Sequence, residues 1–326
     1  MTLPPVNTIC LPTLTRARAP LTCEVEVVNE HGEHQRMSIP AERALTVYVD
    51  KRELVTLMTL GAHPELLVLG YLRNQRLISD ASQVESITVD WEVGAAAVRT
   101  RGGIQDIEAK TAQRVVTTGC GQGSVFGGLM DEVDQLELPA DARITQRQLY
   151  SLVNTIRLEE STYKSAGSVH ACAMFSLGDT EPEMLLFVED VGRHNAIDTI
   201  AGWLWMNPIG EQRTTRSGER GGTSFPAGPP QGEMHPLGGQ RTTRSGERGG
   251  QYPLVFYTTG RLTSEMVIKS AQMGVPVVVS RSGITQMGHQ IAQQVGVCAI
   301  GRATNKRFVC YASAHRLQLE PSLASV

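Results

Sequence analysis

Apolar positions along this chain change period several times, and the changes divide it into elements. Residues 24–28 and 45–49 alternate or are β-branched, which predicts strands. Pro64 then opens a short predicted helix that carries Leu66, Leu67, Leu69, Gly70 and Leu72 on or near one face. Strands are predicted at 85–91 and 93–99. Thr145-x-x-Gln148 is a capping-box pattern ahead of Leu149, Leu152, Val153 and Ile156, whose spacing of three and four predicts an amphipathic helix. Residues 169–175 and 184–188 read as two strands joined through the turn signal Gly178-Asp179. The C-terminal part alternates: strand 254–257, helix 264–273 with Gly274 at its C′ position, strand 276–280, helix 285–295 with Gly296 beyond it, then strands 297–300 and 308–311. Strand–helix alternation implies crossovers and a sheet that is at least partly parallel.

Length and composition bound the answer. The chain has 326 residues, enough for one large domain or two modest ones, and 41% are apolar, so a real core can form. Thirty Lys and Arg face 33 Asp and Glu for a net charge of -3, which gives no electrostatic footprint for nucleic acid. No apolar run approaches the ~18 residues of a spanning helix. No basic stretch followed by an apolar one opens the chain, so neither membrane insertion nor export is expected. The cysteines are Cys10, Cys23, Cys120, Cys172, Cys298 and Cys310, without a C-x-x-C pair. In a chain this long that predicts reduced thiols and a cytoplasmic address.

The pattern divides the chain into a flexible arm at 1–22, a β-rich part at 23–140, an α/β domain at 141–313 and a tail at 314–326. The α/β domain is interrupted at 207–251, where QRTTRSGERGG at 212–222 recurs at 240–250. That stretch is rich in Gly, Pro, Arg and Ser and has little to bury, so it is expected to be a disordered surface insertion.

Five constellations offer chemistry. Thr117 to Ser124 reads TTGCGQGS and sets Cys120 among glycines, which can expose and free a sulfur that must be loaded and unloaded. A tight turn around a small apolar side chain is the plain alternative. Val188 to Asp198 reads VEDVGRHNAID at a strand–helix junction. There Arg193 and His194 suit an anion at a helix N-terminus, and Asp198, four residues on, is placed to orient His194. Asp190 as a helix cap is the plain reading. His170 and Cys172 alternate on one strand face, where a core strand with one satisfied histidine is slightly favoured. Gly260-Arg261 lies between a strand and a helix, where open α/β sheets bind ligands, with Thr263 or Ser264 as candidate cap. Arg302, Ala303, Thr304, Asn305, Lys306 and Arg307 bring three cations to a strand end, which suits a pyrophosphate or simply a solvated hairpin turn.

Together these segments resemble the formate dehydrogenase accessory sulfurtransferase family. The resemblance rests on Glu53 to Met58 (ELVTLM), Leu69 to Leu72 (LGYL), Gly119-Cys120-Gly121, Val169-His170-Ala171, Glu189 to Ala196 (EDVGRHNA), Gly260-Arg261 with Ser264-Glu265-Met266, and Gly301 to Tyr311. It covers nearly everything from about 40 to 313 except the insertion. It implies a cytidine-deaminase-like α/β fold, a three-layer sandwich with a smaller β-rich N-terminal part, in a homodimer. It further implies that a cysteine desulfurase loads the loop cysteine, here Cys120, as a persulfide. The sulfur is then passed to the bis-molybdopterin guanine dinucleotide cofactor of formate dehydrogenase, for which the family's binding segment matches Arg302 to Arg307. The chain departs from many relatives in having Gly123 where they carry a second loop cysteine.

Two other functions compete. A zinc nucleoside deaminase needs H-x-E or C-x-E with P-C-x-x-C. His170-Ala171-Cys172 lacks the glutamate and the second motif is missing, so no zinc is expected. A chaperone that holds the molybdenum cofactor without moving sulfur would need the arginines but not Cys120.

Overall fold

The computed structural model describes residues 10–112, 115–116, 123–124, 133–159, 161–208 and 252–323. Cys120 and residues 209–251 of the expected insertion lie outside the described residues.

The N-terminal half builds β1 (Thr13–Leu14), β2 (Thr22–Val28), β3 (His34–Pro40), β4 (Arg43–Val49), β5 (Arg52–Thr59), α1 (Pro64–Asn74), β6 (Val84–Asp90) and β7 (Ala95–Thr100). A five-stranded sheet in the order β1-β6-β7-β4-β5 results, with β2 and β3 as a separate hairpin. Leu45, Val47, Val49, Leu57, Ile87 and Val98 alternate along these strands and pack with Leu67, Val68, Leu69 and Leu72 of α1. Residues 10–22 were expected in a loose arm. Instead Thr13 and Leu14 pair with Ser86 and Ile87 of β6, while Thr15 Oγ1 and the Ala17 amide donate to the buried Glu65 at 2.7 and 2.6 Å. Ladder bonds and a buried carboxylate together hold a segment whose composition shows no periodicity.

The short helix α2 (Ile107–Ala112) is followed by a two-residue antiparallel ladder between β8 (Val115–Val116) and β9 (Gly123–Ser124). Then come β10 (Ile144–Thr145), α3 (Gln146–Leu158), α4 (Thr162–Ala166), β11 (His170–Leu177), β12 (Pro182–Asp190), α5 (Arg193–Met206), β13 (Leu254–Thr258), α6 (Ser264–Gln272), β14 (Val277–Ser280), α7 (Gln286–Gln294), β15 (Cys298–Thr304), β16 (Arg307–Ala312) and β17 (Leu317–Gln318). Thr145 caps α3 with the predicted box: its hydroxyl accepts from the Gln148 amide and the Gln148 side chain returns to the Thr145 amide. The tail is also tied down, since β17 pairs with β10 and Glu320 accepts from Arg147.

A six-stranded sheet in the order β12-β11-β13-β14-β15-β16 forms the larger half. Leu254 and Phe256 of β13 face a core shared with α5, α6 and α7, while Val255 and Tyr257 face one shared with α3. Burial on both faces explains why this strand reads as a continuous apolar run. The result is an α/β/α sandwich, and the two halves meet where α1 lies against α5. A Cβ on Gly70 would collide with the Asp198 carbonyl and one on Gly202 with the Leu66 carbonyl, so the two glycines let the backbones approach.

Candidate functional site

Strands β12, β13, β14 and β15 all run in one direction, because β11 is antiparallel to both β12 and β13 and the next two pairings are parallel. Their C-terminal ends therefore open at one edge of the sheet, where β11 and β16 begin. His170, Gly192 to Asn195, Gly260-Arg261 and the segment from Arg302 to Arg307 all come to this edge. In open α/β sheets such an edge holds the ligand.

Gly260 sits on a braced turn. Its amide donates to Thr258 Oγ1 at 3.0 Å and its carbonyl accepts from Ser280 Oγ at 2.7 Å. A Cβ here would lie 2.9 Å from Arg193 Cδ, so the absent side chain leaves room for the arginine stem. Arg193 opens α5, whose N-cap Gly192 supplies no side-chain cap, and it is only 4% exposed. Its Nε and Nη2 have no hydrogen-bond partner among the described residues. Two buried guanidinium donors without partners are costly, and an anion would supply the acceptors they lack. The N-terminal dipole of the 14-residue helix α5 acts in the same direction.

His170, half buried, is held below the ordinary imidazole range by burial and then by Arg193 and Arg261. His194 is lowered to about 4, chiefly by burial, with Glu265 opposing. It is therefore neutral at pH 7. Cys172 donates to Thr258 Oγ1 at 3.4 Å, and burial pushes its thiol up to about 12. It is an inert core thiol.

Asp198 does not orient His194 as the four-residue spacing predicts. The Lys269 ammonium, 1% exposed, lies 2.9 Å from Asp198 Oδ1 and 3.0 Å from Glu265 Oε1. Asn74 donates to Asp198 at 2.7 Å, and His194 Nε2 faces Glu265 Oε2 at 3.4 Å. The facing helix α6 inserts its own cation and carboxylate, and a full charge outcompetes a neutral imidazole for Asp198. Asp190 is also more than a helix cap. Its Oδ2 accepts from Thr59 Oγ1 at 2.5 Å and from the Leu60 amide at 3.2 Å. Its Oδ1 accepts from the Gly192 amide at 3.1 Å and Asn195 Nδ2 at 2.8 Å. It fastens the end of β5 to the site loop. Burial raises its pKa to about 6 in spite of these bonds. Thr263 occupies the N-cap of α6, yet its hydroxyl makes no capping bond.

The segment from Arg302 to Arg307 is a hairpin. β15 and β16 are longer than predicted and take in Arg302 to Thr304 and Arg307. Arg302, Thr304, Asn305, Lys306 and Arg307 are exposed, whereas Ala303 is buried in the core on the α3 side. The hairpin joins the Gly260 turn through one intermediary. The Arg302 amide donates to the Ser282 carbonyl, and Ser282 Oγ donates to the Thr259 carbonyl at 2.9 Å. Thus Arg193, Gly260 and Arg261 form one cluster, with the cationic hairpin beside it on the same edge, while His194 turns to Glu265. Ser280 and Ser282 escaped the sequence reading. The signal was Ser-Arg-Ser-Gly directly after a strand, a second polar turn at a strand end. Lys269 escaped because a lone lysine on a helix reads as solvated.

Among the described residues no three His, Cys, Asp or Glu side chains gather as a metal site would require. No described helix is long and apolar enough to cross a membrane.

Known proteins fit this architecture. A "Sulfur carrier protein FdhD" of Bacillus subtilis (strain 168) is 25% identical over 291 residues, covering 89% of this chain and 94% of its own. That of Bacillus pumilus (strain SAFR-032) is 26% identical over 282 residues, covering 85% and 88%. The crystal structure of a "putative formate dehydrogenase accessory protein" from Desulfotalea psychrophila superposes with a TM-score of 0.61 at 18% identity. It covers 91% of this chain and 100% of its own, so the fold is shared. The FdhD/NarQ family model matches residues 40–216 and 244–318, and the chain belongs to that family.

Proposed function

We propose that this protein is a sulfurtransferase that carries sulfur as a persulfide on Cys120. The donor is a cysteine desulfurase, and the acceptor is the bis-molybdopterin guanine dinucleotide cofactor needed by formate dehydrogenase. In loading, the Cys120 thiolate attacks the outer sulfur of the donor's persulfide. A new S–S bond forms on Cys120 as the donor's breaks, and the donor leaves as a thiolate. The cofactor is cargo, bound at the sheet edge. Family membership and the names of the relatives support sulfur transfer.

The observation that carries the binding half is the buried Arg193 guanidinium with two unpartnered nitrogens at the start of α5, beside Gly260. A pyrophosphate presents the acceptors that such a fork needs. Lys306 and Arg307 on the neighbouring hairpin add positive charge from the rim. The α/β/α sandwich, with its mixed sheet, is compatible with a cytidine-deaminase-like type. A homodimer in the cytoplasm completes the proposal.

The test is intact mass after incubation with a cysteine desulfurase and cysteine. Wild type gains one sulfur that is lost on reduction, and Cys120→Ala gains none and fails to support formate dehydrogenase activity. A Cys120→Ala variant with full activity would leave a cofactor chaperone in place of a sulfur carrier.

A further inference from the structure

Two other cysteines meet on the face of the sheet that α3 covers. Cys298 opens β15 and Cys310 lies on β16, which is the edge strand. Their sulfurs are 3.9 Å apart, in contact, and both side chains border the core shared with α3. The strands pair antiparallel with a register shift between Ala299 and Ile300, which brings Cys298 diagonally toward Cys310. Exposure differs between them: Cys298 is fully buried and Cys310 only partly so. We propose that Cys298 and Cys310 form a redox-active dithiol that closes to a disulfide when a hydroperoxide oxidises it.

The asymmetry assigns the roles. Cys310 is reachable; its sulfur meets that of Cys298, where either thiol can donate, and it donates to the Ala312 carbonyl at 3.4 Å. Cys310, the only one of the two that a hydroperoxide can reach, is the nucleophile of the pair, and its contact with Cys298 favours its thiolate. Its thiolate attacks a peroxide oxygen, the O–O bond breaks, and the alcohol or water leaves with the thiol's proton. Cys310 is then a sulfenic acid. Cys298 attacks that sulfur, the S–S bond forms, and the hydroxyl leaves as water with the Cys298 proton. Two thiols and one hydroperoxide give one disulfide, one alcohol or water, and one water, with two electrons passing from sulfur to oxygen. The sulfurs must close from 3.9 to about 2.05 Å. The bond would staple β16 to β15 just below the hairpin that carries Arg302, Lys306 and Arg307.

The sequence makes the test direct, because Arg302, Lys306 and Arg307 lie between the two cysteines and trypsin cuts after each. The full reduced chain is treated with hydrogen peroxide, alkylated and mapped without reduction. The expected result is one pair of peptides joined through Cys298 and Cys310 that separates on reduction. In Cys298→Ser a sulfenic-acid probe should label Cys310. Alkylation of both cysteines after peroxide would overturn the proposal. So would a linkage of Cys310 to any other cysteine, or sulfenic acid on Cys298 in a Cys310→Ser chain.

Discussion

Two clusters of buried charge lie side by side at the start of α5 and are built in opposite ways. In one, Lys269 sits between Asp198 and Glu265 at 2.9 and 3.0 Å, Asn74 covers Asp198, and His194 faces Glu265. In the other, Arg193 is also buried but leaves Nε and Nη2 unanswered among the described residues. The first answers its full charges with the protein's own side chains, although Asn74 Oδ1 and His194 Nε2 find no hydrogen bond, and it ties α1, α5 and α6 together. The second leaves two donors without an acceptor among the described residues. Burial of charge alone does not mark a functional site, since both clusters are buried. An unanswered charge does, because a desolvated guanidinium costs far more to leave unpaired than a neutral amide or imidazole.

The contrast predicts opposite outcomes for removal of the central cation. Lys269→Met leaves Asp198 and Glu265 without their counter-ion, and chemical denaturation should show a loss of about 3–5 kcal/mol. Stability within a kcal/mol of wild type would show that the Lys269 cluster is not what holds the three helices.

Asp190 ties the loop before α5 to the end of β5, and its raised pKa gives a pH signature. A carboxyl whose folded pKa of about 6 exceeds its unfolded value near 3.8 binds more protons when folded. Its contribution is fully present below pH 3.8 and is lost as pH rises through 6. Relative to Asp190→Asn, the wild type should therefore gain roughly 1–3 kcal/mol between pH 7 and 4. Asp198, also raised to about 6, adds in the same direction, while His194, lowered to about 4, opposes both. Both are common to the two proteins and cancel in the difference. A flat difference curve would show that Asp190 is not perturbed.

Arg193→Gln should leave the melting temperature nearly unchanged while weakening guanosine diphosphate, a partial mimic of the cofactor, by about tenfold in calorimetry. Unchanged affinity would remove the Arg193 cluster from the binding site. The smallest effect belongs to the rim. Arg307 is exposed, so Arg307→Ala should weaken the same ligand only about two- to fivefold, and added salt should erase the difference. It should leave persulfide loading of Cys120 untouched.

Much of the architecture was legible along the chain. The capping box at Thr145, Pro64 at a helix start and the glycines at 274 and 296 each act within a few residues, and each sits in the structure where its local chemistry requires. The strand–helix alternation from 254 onward already implied crossovers and a partly parallel sheet, and β13, β14 and β15 pair in parallel. The cations of the candidate site were legible too, because Arg193, Gly260-Arg261 and the Arg302–Arg307 run stand at strand ends. Local pattern could not say which of these charges is answered. His194 and Asp198 share a helix face, yet Lys269 and Glu265 come from another helix far along the chain and take both as partners. Asp190 looks like a cap until Thr59 and Leu60 arrive from the other sheet. Cys298 and Cys310 are unremarkable in spacing, and the diagonal register of an edge pair makes them neighbours. Backbone preference and side-chain periodicity are local and survive in one dimension. Charge compensation and sulfur contact depend on distances of 3–4 Å between remote segments, and packing alone sets those distances.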